Sequence, residues 1–341
     1  MWFRAYGELA EDGNWQGGRM GGRSRVVDGL LPPDTVIGDG RYRLLEPVGA
    51  DERDGAQLWR ARDGKLDRDV ALTVLTGDSS GPDTVRHTLQ RAASVSRLVH
   101  PGVAPVLNVL SVGDGVARGE GIVGIIAAEW TRGTGMTDVV AREPVTPVHA
   151  CLLLEPLADA MDRAHRRGVV LGVGHPLRIR VTPAGTLRLA FPGPPAGATL
   201  TDDVRGLGTI LYFLLTGSWP VPGGPLVSPR ELQPEVPVDL SEIAIRSIAD
   251  VSAGGIRTSD SILRVLRLVS ENAERATMLA ALPDDNENTP DVEKDGAVWI
   301  TKPPVNDAAR RKKVAIAAAV LVLISIGVIV WVGATVIGMF L

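Results

Sequence analysis

The stretch DAMDRAHRRGVVLGVGHPLRIRVTPAGTLRLAFPG, Asp159–Gly193, changes its hydrophobic period halfway along. Upstream, apolar residues keep helical spacing over Val148–Arg166, and Gly168 ends the pattern. Downstream, Ile179–Val181 and Leu187–Leu189 alternate around Thr182-Pro183-Ala184-Gly185, which reads as two short strands joined by a turn.

Working outward, the preceding segments are mostly strands. Arg41–Gly49 and Gln57–Arg62 are short ones, Val70–Leu75 is a buried one, and Ile122–Glu129 is another apolar one. Between them Val85–Leu98 reads as a helix, stopped by His100-Pro101. The segments that follow are helical: Val204–Leu215, ending at Gly217, then Leu240–Ala249 and Ser259–Ser270. Strands first and helices after predict an α+β domain with two lobes over residues 38–270.

Composition narrows the function classes. Among 341 residues, 36 Lys and Arg stand against 40 Asp and Glu, a net charge of −4, which argues against nucleic-acid binding. One cysteine, Cys151, suits a reducing compartment and excludes cysteine-based zinc sites. The histidines (His87, His100, His149, His165 and His175) show no metal-ligand spacing, so no metal site is expected.

The two ends differ from the middle. Residues 1–37 are rich in Gly and Arg and lack periodicity, so they are expected to be disordered, and no signal peptide is legible in them. Residues 271–313 read as a linker: Pro283–Asp295 holds six acids, and Pro290, Pro303 and Pro304 interrupt it. Val314–Leu341 then runs for 28 residues without a charge. As a helix it would extend about 42 Å, enough to span about 30 Å of hydrocarbon. Arg310, Arg311, Lys312 and Lys313 before it place the preceding residues in the cytoplasm. The expectation is a single-pass protein of the cell membrane with a cytoplasmic N-terminal domain.

Residues 38–270 resemble a bacterial Ser/Thr protein kinase domain. The likeness rests on six pieces in order: GDGRYRLLEPVG at 38–49, RARDGKLDRDVALTVL at 60–75, SRLVHPGVAPVLNV at 96–109, the opening stretch at 159–193, TDDVRGLGTILYFLLTGSWP at 201–220 and LSEIAIRSIADVSAGGIRTSDSILRVL at 240–266. The resemblance implies a two-lobed protein-kinase-like fold, to which the uncharged run Val314–Leu341 adds one C-terminal transmembrane helix. It is closest to the pseudokinase module attached to the mycobacterial lipid II flippase, which shares DGRYRL and the lysine-free LDxxVALT strand.

Set against that family, the parts needed for phosphoryl transfer are replaced. In Gly49-Ala50-Asp51-Glu52-Arg53-Asp54-Gly55 only the first glycine of the phosphate loop is in place, and its acids would repel phosphate. The strand lysine falls at Thr73, and its glutamate partner at Gln90 or Arg91. The base aspartate, the following lysine and the metal-binding asparagine fall at Val173, His175 and Arg178. The metal-binding aspartate falls at Phe191. Binding of ATP or magnesium is therefore not expected. Scaffold positions persist in the likeness: Asp203 as the buried helix aspartate, and Arg257 near the structural arginine before the last helix.

These replacements predict a protein that is not an enzyme: a membrane-anchored pseudokinase, acting as a scaffold in cell-envelope synthesis or its signalling. The resemblance implies protein partners, among them an FHA-type phosphothreonine reader and a true Ser/Thr kinase. Thr289 and Thr301 are candidate phosphoacceptors for such a reader. The alternative is a divergent membrane-bound kinase or nucleotide-dependent transferase, with His165 or His175 as a base. An open polar cleft would favour that alternative, and a cleft filled by Phe191, Pro192 and Val173 would favour the scaffold.

Overall fold

The computed structural model describes residues 30–280, apart from 54, 78–80, 118–120, 142–144, 222–223 and 250–253. In chain order its elements are β1 (Val36–Ile37), β2 (Tyr42–Asp51), β3 (Ala56–Asp63), β4 (Arg68–Thr76), α1 (Pro82–Val95), β5 (Val106–Val112), β6 (Gly115–Val116), β7 (Ile122–Glu129) and β8 (Thr134–Gly135). Then come α2 (Met136–Val140), α3 (Pro147–His165), a 3₁₀ turn (Pro176–Arg178), β9 (Ile179–Val181), β10 (Leu187–Leu189), α4 (Leu200–Thr216), α5 (Pro229–Leu232), α6 (Val238–Ile248) and α7 (Ser259–Ala280).

The first part is a seven-stranded sheet in the order β1-β2-β3-β4-β7-β5-β6. β4 pairs antiparallel with β3 on one side and with β7 on the other. It is covered on both faces, which explains why Val70–Leu75 is apolar except at Thr73. Val70, Leu72 and Val74 join Tyr42, Leu44 and Trp59 on one face. On the other face, Leu75 packs with Val85, Leu89 and Ala92 of α1. Pro82 opens α1 directly after Gly81, so the helix starts before Val85, where its apolar spacing begins.

The second part is helical. Leu154, Leu157 and Met161 of α3, Leu207 and Leu211 of α4, Leu240 of α6 and Ile262 and Leu266 of α7 share one core. A small antiparallel sheet, β10-β9-β8, lies at its edge. α4 begins with a capping box: Asp202 N–H donates to Thr199 Oγ1 at 3.2 Å and Thr199 N–H donates to Asp202 Oδ2 at 2.8 Å. Gly217 closes it in the left-handed conformation (φ 73°).

Two expectations about the ends change. Residues 30–37 are structured rather than disordered: Leu30 and Leu31 pack on the sheet, Leu31 N–H donates to Gln57 Oε1 at 3.0 Å, and β1 pairs with β2. α7 continues to Ala280, ten residues past Ser270, on residues of good helix propensity that periodicity alone does not claim. Arg257 is exposed in the loop before α7 rather than built into the scaffold. Among the described residues no helix is long and apolar enough to cross a membrane. Val314–Leu341, Thr289 and Thr301 lie outside them.

Candidate functional site

The two parts meet at a cleft, and several of the replaced kinase positions lie along it, while Val173 is buried in the helical core. Thr73 is buried on β4, opposite Leu58 and Ile126, on the face that Ala71 and Leu75 turn to the cleft and α1. Arg91, on α1, reaches across to the segment before α4. Its Nη1 donates to Pro195 O at 3.3 Å and also to Ala198 O. The α1 side chain therefore grips that segment instead of pairing with a strand lysine.

The inner cleft is apolar. Phe191, 1% exposed, packs with Leu58, Ala71, Ala104 and Ala128, and Val48, Trp130 and Leu177 close around it. Val173 is fully buried in the helical core. Gly49, at φ +146°, lies against Leu177 so closely that an added Cβ would sit 2.5 Å from Leu177 Cδ1. Only glycine accepts both that backbone and that approach. The space beneath the β2–β3 turn is thus filled by the chain itself.

Beside this plug lies a buried charge cluster. Arg178, on the 3₁₀ turn, has no exposed surface. Its Nε donates to Asp51 Oδ2 at 2.8 Å, and its Nη1 donates to Phe191 O at 3.1 Å and Gly193 O at 2.9 Å. Asp51, at the end of β2, is equally buried. It also accepts from Arg53 Nε at 2.8 Å and Arg53 Nη2 at 2.6 Å, while Arg53 Nη1 donates to Gly174 O at 2.9 Å. Burial acts to raise the Asp51 pKa, but the Arg178 charge and the Arg53 hydrogen bonds outweigh it and hold the carboxyl well below the usual range. Desolvation pushes His175 down to about 4 against the opposing pull of the Asp51 charge, with Arg53 and Arg178 acting in the same direction as burial, so its ring is neutral at pH 7.

Motif positions do not disclose this cluster. By position alone, Asp51 is a group that repels phosphate and Arg178 is a lost asparagine. The available signal is a pair of compensating changes: a carboxylate in the turn and a guanidinium at the facing position.

His165 lies elsewhere. Its Nε2 is 3.1 Å from Asp203 Oδ2, and its Nδ1 is 3.3 Å from Ser259 Oγ. Asp203 also accepts from the backbone N–H groups of Leu171 at 2.6 Å and Gly172 at 2.7 Å. These bonds make Asp203 the support of the 171–173 loop, and they make His165 part of that support rather than a base in the cleft.

In front of the plug a cavity of about 960 Å³ remains open. Glu46, Arg60, Asp69 and Arg180 line it with Trp130. The Arg60 and Arg180 guanidiniums lie over the Trp130 ring, 5.4 and 4.6 Å from its centroid. The cleft is therefore polar at its mouth and apolar inside.

Among the described residues, those lining the cleft do not match a magnesium nucleotide. The carboxylate at the phosphate turn is bound by two arginines, Thr73 supplies no cation, and Phe191 stands where the resemblance places a metal ligand. Among the described residues, no group of three or more His, Cys, Asp or Glu is placed to hold a metal ion.

No family profile matches the chain. It is 26% identical over 253 residues to the serine/threonine-protein kinase PknA of Mycobacterium tuberculosis, covering 63% of this chain and 58% of that protein. It is 28% identical over 267 residues to the DNA damage-responsive serine/threonine-protein kinase RqkA of Deinococcus radiodurans, covering 64% of this chain and 38% of that protein. A third relative, the serine/threonine-protein kinase PrkC of Bacillus subtilis, is 26% identical over 230 residues, 58% of this chain and 34% of that protein. The chain thus spans a third to three fifths of the length of these relatives. The expectation that the protein is not an enzyme is overturned by these matches, which point to a kinase enzyme. The chain carries a mixed α/β, protein-kinase-like domain related to bacterial Ser/Thr protein kinases.

Proposed function

We propose that the chain is a divergent kinase-family regulatory protein that acts on a protein partner at the inner face of the cell membrane. In the form described, its own side chains close the nucleotide cleft. One observation carries this reading. Phe191 and Leu177 fill the space under the β2–β3 turn, and the Asp51–Arg178 pair seals it. Val314–Leu341 supplies the anchor, and Arg310–Lys313 supply the orientation. The resemblance to the flippase-associated module suggests the partners, an FHA-type phosphothreonine reader and a true Ser/Thr kinase, and the setting of cell-envelope signalling. Thr289 and Thr301 are the acceptors such a reader would take.

A second reading, a divergent Ser/Thr kinase or nucleotide-dependent transferase, is favoured by the kinase relatives and by the polar cavity at the cleft mouth. Titrating ATP and magnesium into the full chain separates the two, with thermal unfolding and γ-phosphate transfer followed in the same samples. A ligand at 100 times its Kd stabilises a fold by about 2.7 kcal/mol. The first reading expects no magnesium-dependent shift. A shift accompanied by transfer would replace it with the second.

A further inference from the structure

β5 is an apolar strand that its neighbours do not fully cover. Its sequence, VLNVLSV, is half-buried from Val106 to Ser111 and exposed at Val112, whereas β4, two places away in the same sheet, is buried over residues 70–75. On the α1 side this leaves an open groove of about 760 Å³. Val85, Leu89 and Ala93 of α1 form one wall, Val109 and Val112 of β5 form the other, and Val123 of β7 lies against them. Among the described residues that line it, Arg86 alone is charged, and it already pairs with Asp83 at 2.8 Å. A long apolar trough of this kind suits an apolar chain segment rather than a small charged ligand.

The chain carries a segment of matching chemistry outside the described residues. Trp2, Phe3 and Tyr6 fall within five positions, in a chain whose aromatic content is only 4%. Aromatic side chains are the strongest anchors for an apolar groove, since each buries a large area at little conformational cost. Glu8 follows them, opposite in charge to Arg86 at the groove. The segment is also within reach. Leu31 N–H donates to Gln57 on β3, three strand spacings or about 14 Å from β5. The 24 residues from Tyr6 to Leu30 can extend to about 80 Å. Because segment and groove belong to one chain, their effective concentration is about millimolar, so a weak contact suffices to fill the groove.

We infer that residues 2–6 dock in the groove between α1 and β5, with Trp2, Phe3 and Tyr6 as anchors, and so clasp α1 to the sheet from outside. α1 is the helix whose Arg91 holds the carbonyls of Pro195 and Ala198, so the docked segment steadies that contact as well. The docking does not depend on what the cleft between the two parts binds.

The test uses the full chain. Trp2→Ala/Phe3→Ala/Tyr6→Ala should raise amide exchange over residues 82–95 and 106–112 by about three-fold or more, with α4 and α6 unchanged. Exchange equal to that of wild type overturns the inference. Cross-linking then identifies the occupant, and it decides alone should the triple variant not fold. Ala5→Cys/Ala93→Cys keeps the three aromatics and puts one thiol on the segment and one on the exposed wall of the groove, while Cys151 is buried. Under mild oxidation an intrachain disulfide should form at least about ten-fold faster than in Ala5→Cys/Arg230→Cys, whose second thiol lies on α5. Equal rates in the two pairs overturn the inference, and so does a disulfide that joins two chains in place of one within a chain, since a second copy would then fill the groove. Magnesium-dependent ATP binding would change the reading of the cleft and leave this docking standing.

Discussion

Asp51 and Arg178, 127 positions apart in the chain, meet at 2.8 Å with neither side chain exposed. One stands at the end of a sheet strand and the other on the 3₁₀ turn of the helical part. Such a pair does not by itself make a fold stable, because desolvating both charges costs about as much as their attraction returns. It does make the fold specific. With the lobes apart, Asp51 would keep Arg53 on its own turn but the Asp51–Arg178 contact would be lost, so the pair favours one closed arrangement of the cleft.

His175 makes that arrangement sensitive to pH. Its folded pKa, about 4, lies below the 6.5 of a free imidazole, so the unfolded chain binds the proton more readily. Stability should be full above pH 6.5 and fall as pH drops toward 4, by up to about 3 kcal/mol from this group. Asp51 has its pKa lowered, so its contribution is lost only below the ordinary carboxylate range, about 4. Denaturant unfolding between pH 4 and 7 checks this, and His175→Gln should flatten the slope.

Gly49→Ala places a side chain on a backbone of φ +146° and against Leu177. The expected loss is about 1–3 kcal/mol, read from the urea midpoint. Leu177→Ala in the same chain should recover the steric part of that loss and leave the backbone part.

Phe191→Ala removes the plug. With the ring 1% exposed among Leu58, Ala71 and Ala128, the expected cost is about 3–5 kcal/mol, with an unchanged m-value. A cost under about 1 kcal/mol would mean that the inner cleft is not packed in solution.

Thr199→Ala breaks the capping box of α4 and should cost about 1 kcal/mol. Arg91→Ala releases the carbonyls of Pro195 and Ala198 from α1. Hydrogen exchange should rise over residues 196–199 in the second variant, with α4 itself still protected.

Much of the fold is legible in the sequence, because its segments carry their own punctuation. Ile179–Val181, Leu187–Leu189 and Ile122–Glu129 match the observed strands residue for residue, since turns or alternation bound each one. The replaced positions Thr73, Val173, His175, Arg178 and Phe191 do gather at the cleft or in the core behind it. The Asp51–Arg178 contact is not legible, since nothing local marks a charge that will be buried, and burial of a charge runs against residue preference. β1 and the last ten residues of α7 escape for a related reason. Two residues of strand and a mostly exposed helix end carry too little periodicity to register. The expectation that the protein is not an enzyme rests on motif positions alone, and the kinase relatives correct it.

The central claim is that Asp51 and Arg178 act as one unit that holds the cleft shut, and a double-mutant cycle tests it most directly. Asp51→Leu and Arg178→Met, alone and together, would be compared by urea unfolding of the full chain. Asp51→Leu takes the Asp51 carboxylate away from the buried Arg178, and Arg178→Met leaves Asp51 with the Arg53 fork; each should destabilise the fold, by up to about 3–5 kcal/mol. The double variant should cost less than either single one, giving a coupling of at least about 2 kcal/mol. Single losses that simply add, to within about 0.5 kcal/mol, would contradict the account, because the two charges would then not be facing each other across the cleft.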